Sequence, residues 1–242
     1  MRLHSIPLIA LAIGAAGCAS RGTRASSATT LRPAPAAGAA AYPTVDTGDL
    51  PVAPDSVARR LLVDVHDIDS TIIVRLRYAT TNNVTGAPLP GYEANRALLR
   101  REVALALARV QHDLAPRGLS LEIFDAYRPV RASEGMVAWT ERVHRPDLLT
   151  DGYIASHSRH NLGVTVDLTL VDRATGRELD MGTPFDTFSP AAHTANASGE
   201  AAANRRKLLD AMAAEGFVNY DQEWWHFTYD VPNPLRFDLV IR

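Results

Sequence analysis

The chain has 242 residues, 46% hydrophobic and 21% charged, with a formal net charge of −2. That ordinary globular composition excludes a collagen-like repeat, a coiled coil and disorder over the whole length, and the near-neutral charge leaves no electrostatic footprint for a nucleic-acid binder. The length suits one large domain or two small ones, and the single cysteine, Cys18, excludes an intrachain disulfide and a zinc site built on several thiolates.

The first predicted segment is an address. Arg2 leads into an apolar run from Ile6 to Ala16 that is too short to span a bilayer as a helix and has the proportions of a secretory signal. Ala15-Ala16-Gly17-Cys18 resembles a bacterial lipobox, which implies cleavage before Cys18 and a lipid on that cysteine. With Ala19 next, the expected location is the cell envelope, on the outer membrane facing the periplasm. The competing reading is a plain secretory signal cut near Ala19, giving a soluble periplasmic protein. Residues 19–55, rich in Ala, Pro, Ser and Thr, bury too little apolar surface to offset their ordering entropy, and read as a tether. One folded domain, residues 56–242, is expected to follow.

Within it, Leu61–Ile68 and Ile72–Leu76 read as strands, and the turn-rich stretch Thr80–Tyr92 as a long loop. Arg96–Leu114 carries an apolar stripe at helical spacing, with Gly118 past its end. Leu119–Phe124 is a predicted strand, Ala132–Val143 a helix, and Val164–Leu170 a strand of period two that puts Thr165, Asp167 and Thr169 on one face. Ala201–Ala214 reads as a helix closed by Gly216, and Trp224–Tyr229 and Phe237–Ile241 as strands finishing the sheet. Strands and helices that mix without strict alternation predict an α+β fold, a mostly antiparallel sheet with packed helices.

Three segments carry chemistry. In Ser158-Arg159-His160-Asn161-Leu162-Gly163-Val164-Thr165-Val166-Asp167, a histidine precedes a strand whose polar face bears an aspartate. Imidazole nitrogen and carboxylate oxygen suit zinc; a salt bridge from Asp167 to an arginine is the competing reading. In Glu223-Trp224-Trp225-His226 a carboxylate stands three residues before a histidine; on a strand that spacing points the two apart, so Glu223 is expected at a bend before the strand. His226 also reads as a core histidine, and the two tryptophans as core packing. His160, Asp167 and His226 together supply three protein ligands, leaving a fourth position for water, whose pKa zinc lowers to roughly 7. Glu223 is then placed to take and return its proton. Arg128, between a strand and Pro129, suits the developing oxyanion, or else an ion pair with Asp125 or Glu122.

These motifs, Ser-x-His-x-x-Gly-x-x-x-Asp and a later Glu-x-x-His, resemble the zinc D,D-peptidase superfamily, which also includes lysostaphin-type and hedgehog-type domains. The finer resemblance is to the D-alanyl-D-alanine dipeptidase family of the vancomycin-resistance type. It runs from about Ile72 to Phe237 through Arg77-Tyr78-Ala79-Thr80, Gly91-Tyr92-Glu93-Ala94-Asn95-Arg96, Asp125-Ala126-Tyr127-Arg128-Pro129, Gly152-Tyr153-Ile154-Ala155-Ser156 and Met181-Gly182 with Phe185-Asp186. The resemblance implies a hedgehog/D,D-peptidase-like fold and one zinc ion per chain on His160, Asp167 and His226. Glu223 would be general base and acid and Arg128 the electrophile. Asp186, helped by Tyr78, would hold the substrate ammonium, and Ser158 would lie on its carboxylate side. The implied reaction is hydrolysis of D-alanyl-D-alanine in wall-peptide turnover or recycling, with no nucleic-acid partner and no membrane contact beyond the lipid. A D,D- or L,D-carboxypeptidase on stem peptides and a non-catalytic wall-binding module are the alternatives. His157 departs from the pattern and reads as a solvent-facing loop residue; His66, His112, His144 and His193 have no partner at metal spacing, though His193 sits in a loop that suits the pocket entrance.

Overall fold

The computed structural model describes residues 47–242. The expected signal sequence, Cys18 and residues 19–46 of the expected tether lie outside the described residues. In chain order the elements are β1 (Val52–Ala53), α1 (Asp55–Leu61), β2 (Leu62–Asp64), β3 (Ile73–Val74), β4 (Leu98–Arg100), α2 (Arg101–Leu114), β5 (Leu119–Asp125), α3 (Val130–Arg142), α4 (Asp147–Thr150), β6 (Thr165–Asp172), α5 (Gly199–Ala214), β7 (Phe217–Asn219), β8 (His226–Tyr229) and β9 (Arg236–Phe237).

The main sheet runs β3-β5-β6-β8-β7, antiparallel except for the β3–β5 pair. This is the α+β architecture expected. α2 turns Val103, Ala106, Leu107, Val110 and Leu114 inward at helical spacing and packs against β5 and α5. β6 sits mid-sheet with both faces buried. Its polar side, Thr165, Asp167 and Thr169, is therefore enclosed, with Thr165 and Thr228 sharing a hydroxyl hydrogen bond of 2.8 Å.

Several boundaries differ from those predicted, each because a distant partner intervenes. Leu98–Arg100 is a strand paired with Leu62–Asp64, so α2 begins only at Arg101. Of Leu61–Ile68, residues 62–64 are extended; a helix precedes them and a 3-10 turn, Val65–Asp67, follows. β9 does not finish the main sheet; it pairs with β1 in a separate two-stranded parallel ladder. β7, only three residues long and directly after Gly216, is too short for any periodicity to reveal. The last residues assigned to the tether carry structure: Thr47 is buried, Leu50 packs on the core, Val52–Ala53 is a strand and α1 starts at Asp55. A Pro-rich composition disguised this segment, whose order comes from its pairing with β9. Among the described residues no helix is long and apolar enough to cross a membrane.

Candidate active site and metal centre

Strand register builds the floor of the site. β6 and β8 pair Asp167 with His226, and β5 and β6 pair Asp125 with Asp167. The second pairing depends on a bulge between Ile123 and Asp125. Without the extra residue Phe124 would stand opposite Asp167; with it, Asp125 turns to the polar side. Directly opposed residues share a face, so Asp125, Asp167 and His226 form a row across three adjacent strands.

His160 enters from above this row, on the 3-10 turn Arg159–Leu162. Ser158 caps the turn, its Oγ accepting from the His160 N–H at 3.3 Å. Gly163 ends it at φ 67°, and a Cβ there would stand 2.5 Å from Leu62 Cδ2. The motif glycine is thus required both by backbone conformation and by contact.

The metal-capable atoms converge. His160 Nε2 lies 3.4 Å from His226 Nδ1 and 3.3 Å from Asp167 Oδ2, and His226 Nδ1 lies 3.0 Å from Asp167 Oδ1. Ligand bonds of about 2.0–2.1 Å in a tetrahedron place donor atoms about 3.3 Å apart, so the spacing fits zinc. The protonation pattern fits as well. His160 Nδ1 is 2.7 Å from the Ala126 carbonyl, which fixes the proton there and leaves Nε2 as a free lone pair. Burial lowers the pKa of His226, favouring the neutral ligand form. Burial raises that of Asp167, but the His160 and His226 imidazoles outweigh it and hold the carboxylate well below its usual range. Although His226 is near, Asp167 Oδ1 has no hydrogen-bond partner of proper geometry, an orphan that a cation would satisfy. Among the described residues, this is the group of His, Cys, Asp and Glu side chains able to hold a metal.

Glu223 sits in a turn before β8, as the spacing required. The His226 N–H donates to the Glu223 carbonyl at 3.2 Å, and this turn brings the Glu223 carboxylate back to 3.5 Å from His226 Nδ1. Burial, reinforced by Asp167 and Asp186, pushes the Glu223 carboxyl well above the usual carboxylate range. Arg128 forms the ion pair with Asp125 that its competing reading expected. Its Nε and Nη2 lie 2.9 Å from Asp125 Oδ2, its guanidinium covers the Tyr78 ring, and Nη2 reaches 3.7 Å from Asp167 Oδ2. Asp125 is held in turn by the Tyr92 hydroxyl at 2.5 Å. Both tryptophans are buried, as core packing predicted.

Asp186 stands apart from the metal cluster. Its backbone is left-handed, at φ 60°. The Tyr78 hydroxyl donates to Oδ1 at 2.8 Å and the Val84 N–H to Oδ2 at 3.3 Å, both neutral donors. Burial, with Asp167 adding, pushes its pKa up to about 7. Tyr78, Arg128, Ser158, His160, Asp167, Asp186, Glu223 and His226 all line one cavity of about 560 Å³. The eight residues expected to form the catalytic, metal and substrate sites therefore share one cavity. His157 is exposed at the rim, and His193 reaches the wall through Tyr153, whose hydroxyl is 3.0 Å from its Nε2. Sequence reasoning missed Tyr153, Tyr220, Phe188 and Thr47 among the lining residues; only Tyr153 lay in a quoted motif.

An α+β chain that gathers a His/Asp/His cluster, a buried glutamate and a guanidinium into one cleft has the makings of a metallopeptidase. The sequence matches the D-ala-D-ala dipeptidase family over residues 59–234, and the chain belongs to that family. It is 40% identical over 174 residues to the D-alanyl-D-alanine dipeptidase of Enterococcus faecalis (strain ATCC 700802 / V583), covering 65% of this chain and 86% of the relative. The corresponding figures are 36% over 194 residues for the D-alanyl-D-alanine dipeptidase of Streptomyces coelicolor, with 73% and 96% covered. For that of Escherichia coli K12 they are 35% over 181 residues, with 74% and 89% covered.

Proposed function

We propose that this protein hydrolyses the free dipeptide D-alanyl-D-alanine to two D-alanines. The observation that carries the reading is the pairing, within one cavity, of a metal-capable cluster with a separate carboxylate, Asp186, that is met only by neutral donors. Such a carboxylate is a receptor for an ammonium, and its presence in the same small cavity as the reacting centre favours a substrate with a free amine one residue from the scissile bond. His160 Nε2, Asp167 and His226 Nδ1 are the groups that would hold zinc, one ion per chain. Bound there, zinc supplies a Lewis acid and lowers the pKa of water.

The chain's own residues do the rest. Asp186 and the Tyr78 hydroxyl fix the amine end. Ser158 faces the carboxylate end. Glu223, whose affinity for a proton is raised by burial, takes one from the attacking water and delivers it to the leaving amine as the C–N bond breaks. Arg128 is locked through Nε and Nη2 onto Asp125, while Nη1 meets the weak acceptor Met136 Sδ at 3.3 Å. That leaves a preorganised donor for the oxyanion.

Purified protein with zinc, offered D-alanyl-D-alanine, its N-acetylated form, an L,D-dipeptide and a stem pentapeptide, tests the reading. Fast turnover of the free dipeptide alone is expected. Equal rates on the blocked dipeptide or the pentapeptide would replace it with the carboxypeptidase reading, and zinc binding without turnover would favour the wall-binding module.

The export signal in the sequence supports an envelope role, recycling dipeptide released from peptidoglycan, with Cys18 carrying a lipid. Labelling of cells with radioactive palmitate should mark the protein; an unlabelled, freely soluble product would make Cys18 part of a discarded signal.

A further inference from the structure

Thr47 lies before the stretch that matches the dipeptidase family, residues 59–234, yet it lines the active-site cavity. It is 2% exposed, and its Oγ1 donates to the His157 carbonyl at 2.8 Å. Ser156, His157, Ser158 and Arg159 line the same cavity. Backbone hydrogen bonds tie down Ile154, to Leu148, and Ser158, which caps the Arg159–Leu162 turn, but residues 155–157 between them belong to no helix or strand. The Thr47 segment itself is well fixed. The Leu50 N–H closes a turn onto the Thr47 carbonyl at 3.2 Å, Leu50 packs on the core, and Val52–Ala53 pairs with Arg236–Phe237. Arg236 Nη1 lies 3.4 Å from His157 Nδ1. His157 is thus held twice, by its carbonyl through Thr47, a few residues before β1, and by its ring through Arg236 of β9.

We propose that Thr47 is a positioning residue for the carboxylate end of the substrate pocket. It fixes the 156–159 wall so that Ser158 meets the substrate, and so that a peptide extended past its second residue is kept out. The inference rests on the dipeptidase reading and on Ser158 facing the substrate carboxylate. A group that holds the ground-state substrate shows itself in KM, whereas a group acting on the transition state shows itself in kcat.

The test uses full-length, zinc-loaded protein carrying Thr47→Val, which removes only the hydroxyl, or Thr47→Ser, which keeps it. Each is assayed on D-alanyl-D-alanine and on tri-D-alanine, which retains the free amine but adds a residue at the carboxylate end. Loss of one hydrogen bond to a carbonyl should raise KM for the dipeptide about three- to tenfold, with kcat within about twofold of wild type. The tripeptide-to-dipeptide ratio of kcat/KM should rise several-fold, and Thr47→Ser should restore both. Should Thr47→Val not fold, Thr47→Ala carries the same expectation; failure of both to fold would make Thr47 a stability residue and overturn the proposal. Unchanged KM and selectivity in a folded Thr47→Val protein would also overturn it, as would a fall in kcat that Thr47→Ser shares. If wild type cleaves the dipeptide and Thr47→Val matches it, only the Thr47 role fails; if wild type does not cleave it, the dipeptidase reading fails first and this inference falls with it.

Discussion

Replacing Asp186 by Asn separates the ammonium receptor from everything around it. Asn adopts the left-handed backbone at φ 60° at least as readily as Asp, and its amide oxygen can accept from the Val84 N–H while its amino group donates to the Tyr78 hydroxyl oxygen, so the fold should be kept. What is lost is one charge-assisted contact to the substrate, about 1.5–3 kcal/mol, or about 10- to 150-fold in kcat/KM. The loss should fall on the free dipeptide and spare N-acetylated D-alanyl-D-alanine, so the preference for a free amine shrinks by the same factor. The pH profile gives an independent handle. With its pKa pushed up to about 7, Asp186 is protonated in more acid solution and cannot pair with an ammonium. Wild-type kcat/KM should therefore rise with pH until Asp186 is ionised, then fall as the substrate amine, of pKa about 8, loses its proton. A cation on His160, Asp167 and His226 offsets the Asp167 charge, so the rising limb lies at or somewhat below that value. The Asn variant should lose the part of the rising limb that Asp186 contributes and keep the part set by ionisation of the Glu223 general base, which N-acetylated D-alanyl-D-alanine shares. Steady-state kinetics on both substrates across this pH range decides the matter. A variant that keeps the wild-type discrimination between free and blocked dipeptide would remove Asp186 from amine recognition.

Three further outcomes are expected. Glu223→Gln should retain zinc, measured by elemental analysis, and lose about 10²- to 10⁴-fold in kcat; an active, zinc-loaded variant would assign proton transfer elsewhere. Chelation should lower the melting temperature and zinc should restore it, because a ligand at a thousand times its Kd stabilises by about 4 kcal/mol; a melting temperature indifferent to zinc would argue against the His160, Asp167 and His226 centre. Gly163→Ala should cost about 2–4 kcal/mol through its positive φ and the contact with Leu62, lowering the melting temperature by about 5–12 °C; an unshifted melt would show that the turn carrying His160 relaxes freely.

The chemistry was legible in the sequence because it breaks the local pattern. Asp167 inside a run of Val and Leu, and Glu223 and His226 against two tryptophans, are residues that a core does not accept without a use for them. What stayed hidden depends on partners far along the chain. The bulge at Phe124 that turns Asp125 toward Asp167 leaves no mark in an apolar strand. Leu98–Arg100 continues the helical stripe of α2 and is extended only because β2 lies alongside it. Thr47 sits in a segment whose composition reads as linker, and its burial follows from the β1–β9 ladder, whose two strands stand at opposite ends of the domain.

The row of Asp125, Asp167 and His226 across β5, β6 and β8 makes the proposed metal centre an inspector of sheet assembly. A shift of β8 by one residue would turn His226 to the opposite face and bring Phe227 or Trp225 alongside Asp167, while loss of the bulge would do the same to Asp125. A tight cation site therefore exists only in chains whose central strands have found their native alignment. Metal uptake during refolding should coincide with the docking of β8, the last strand of the main sheet to be synthesised, and should lag behind the formation of α2, whose contacts along its own length are local.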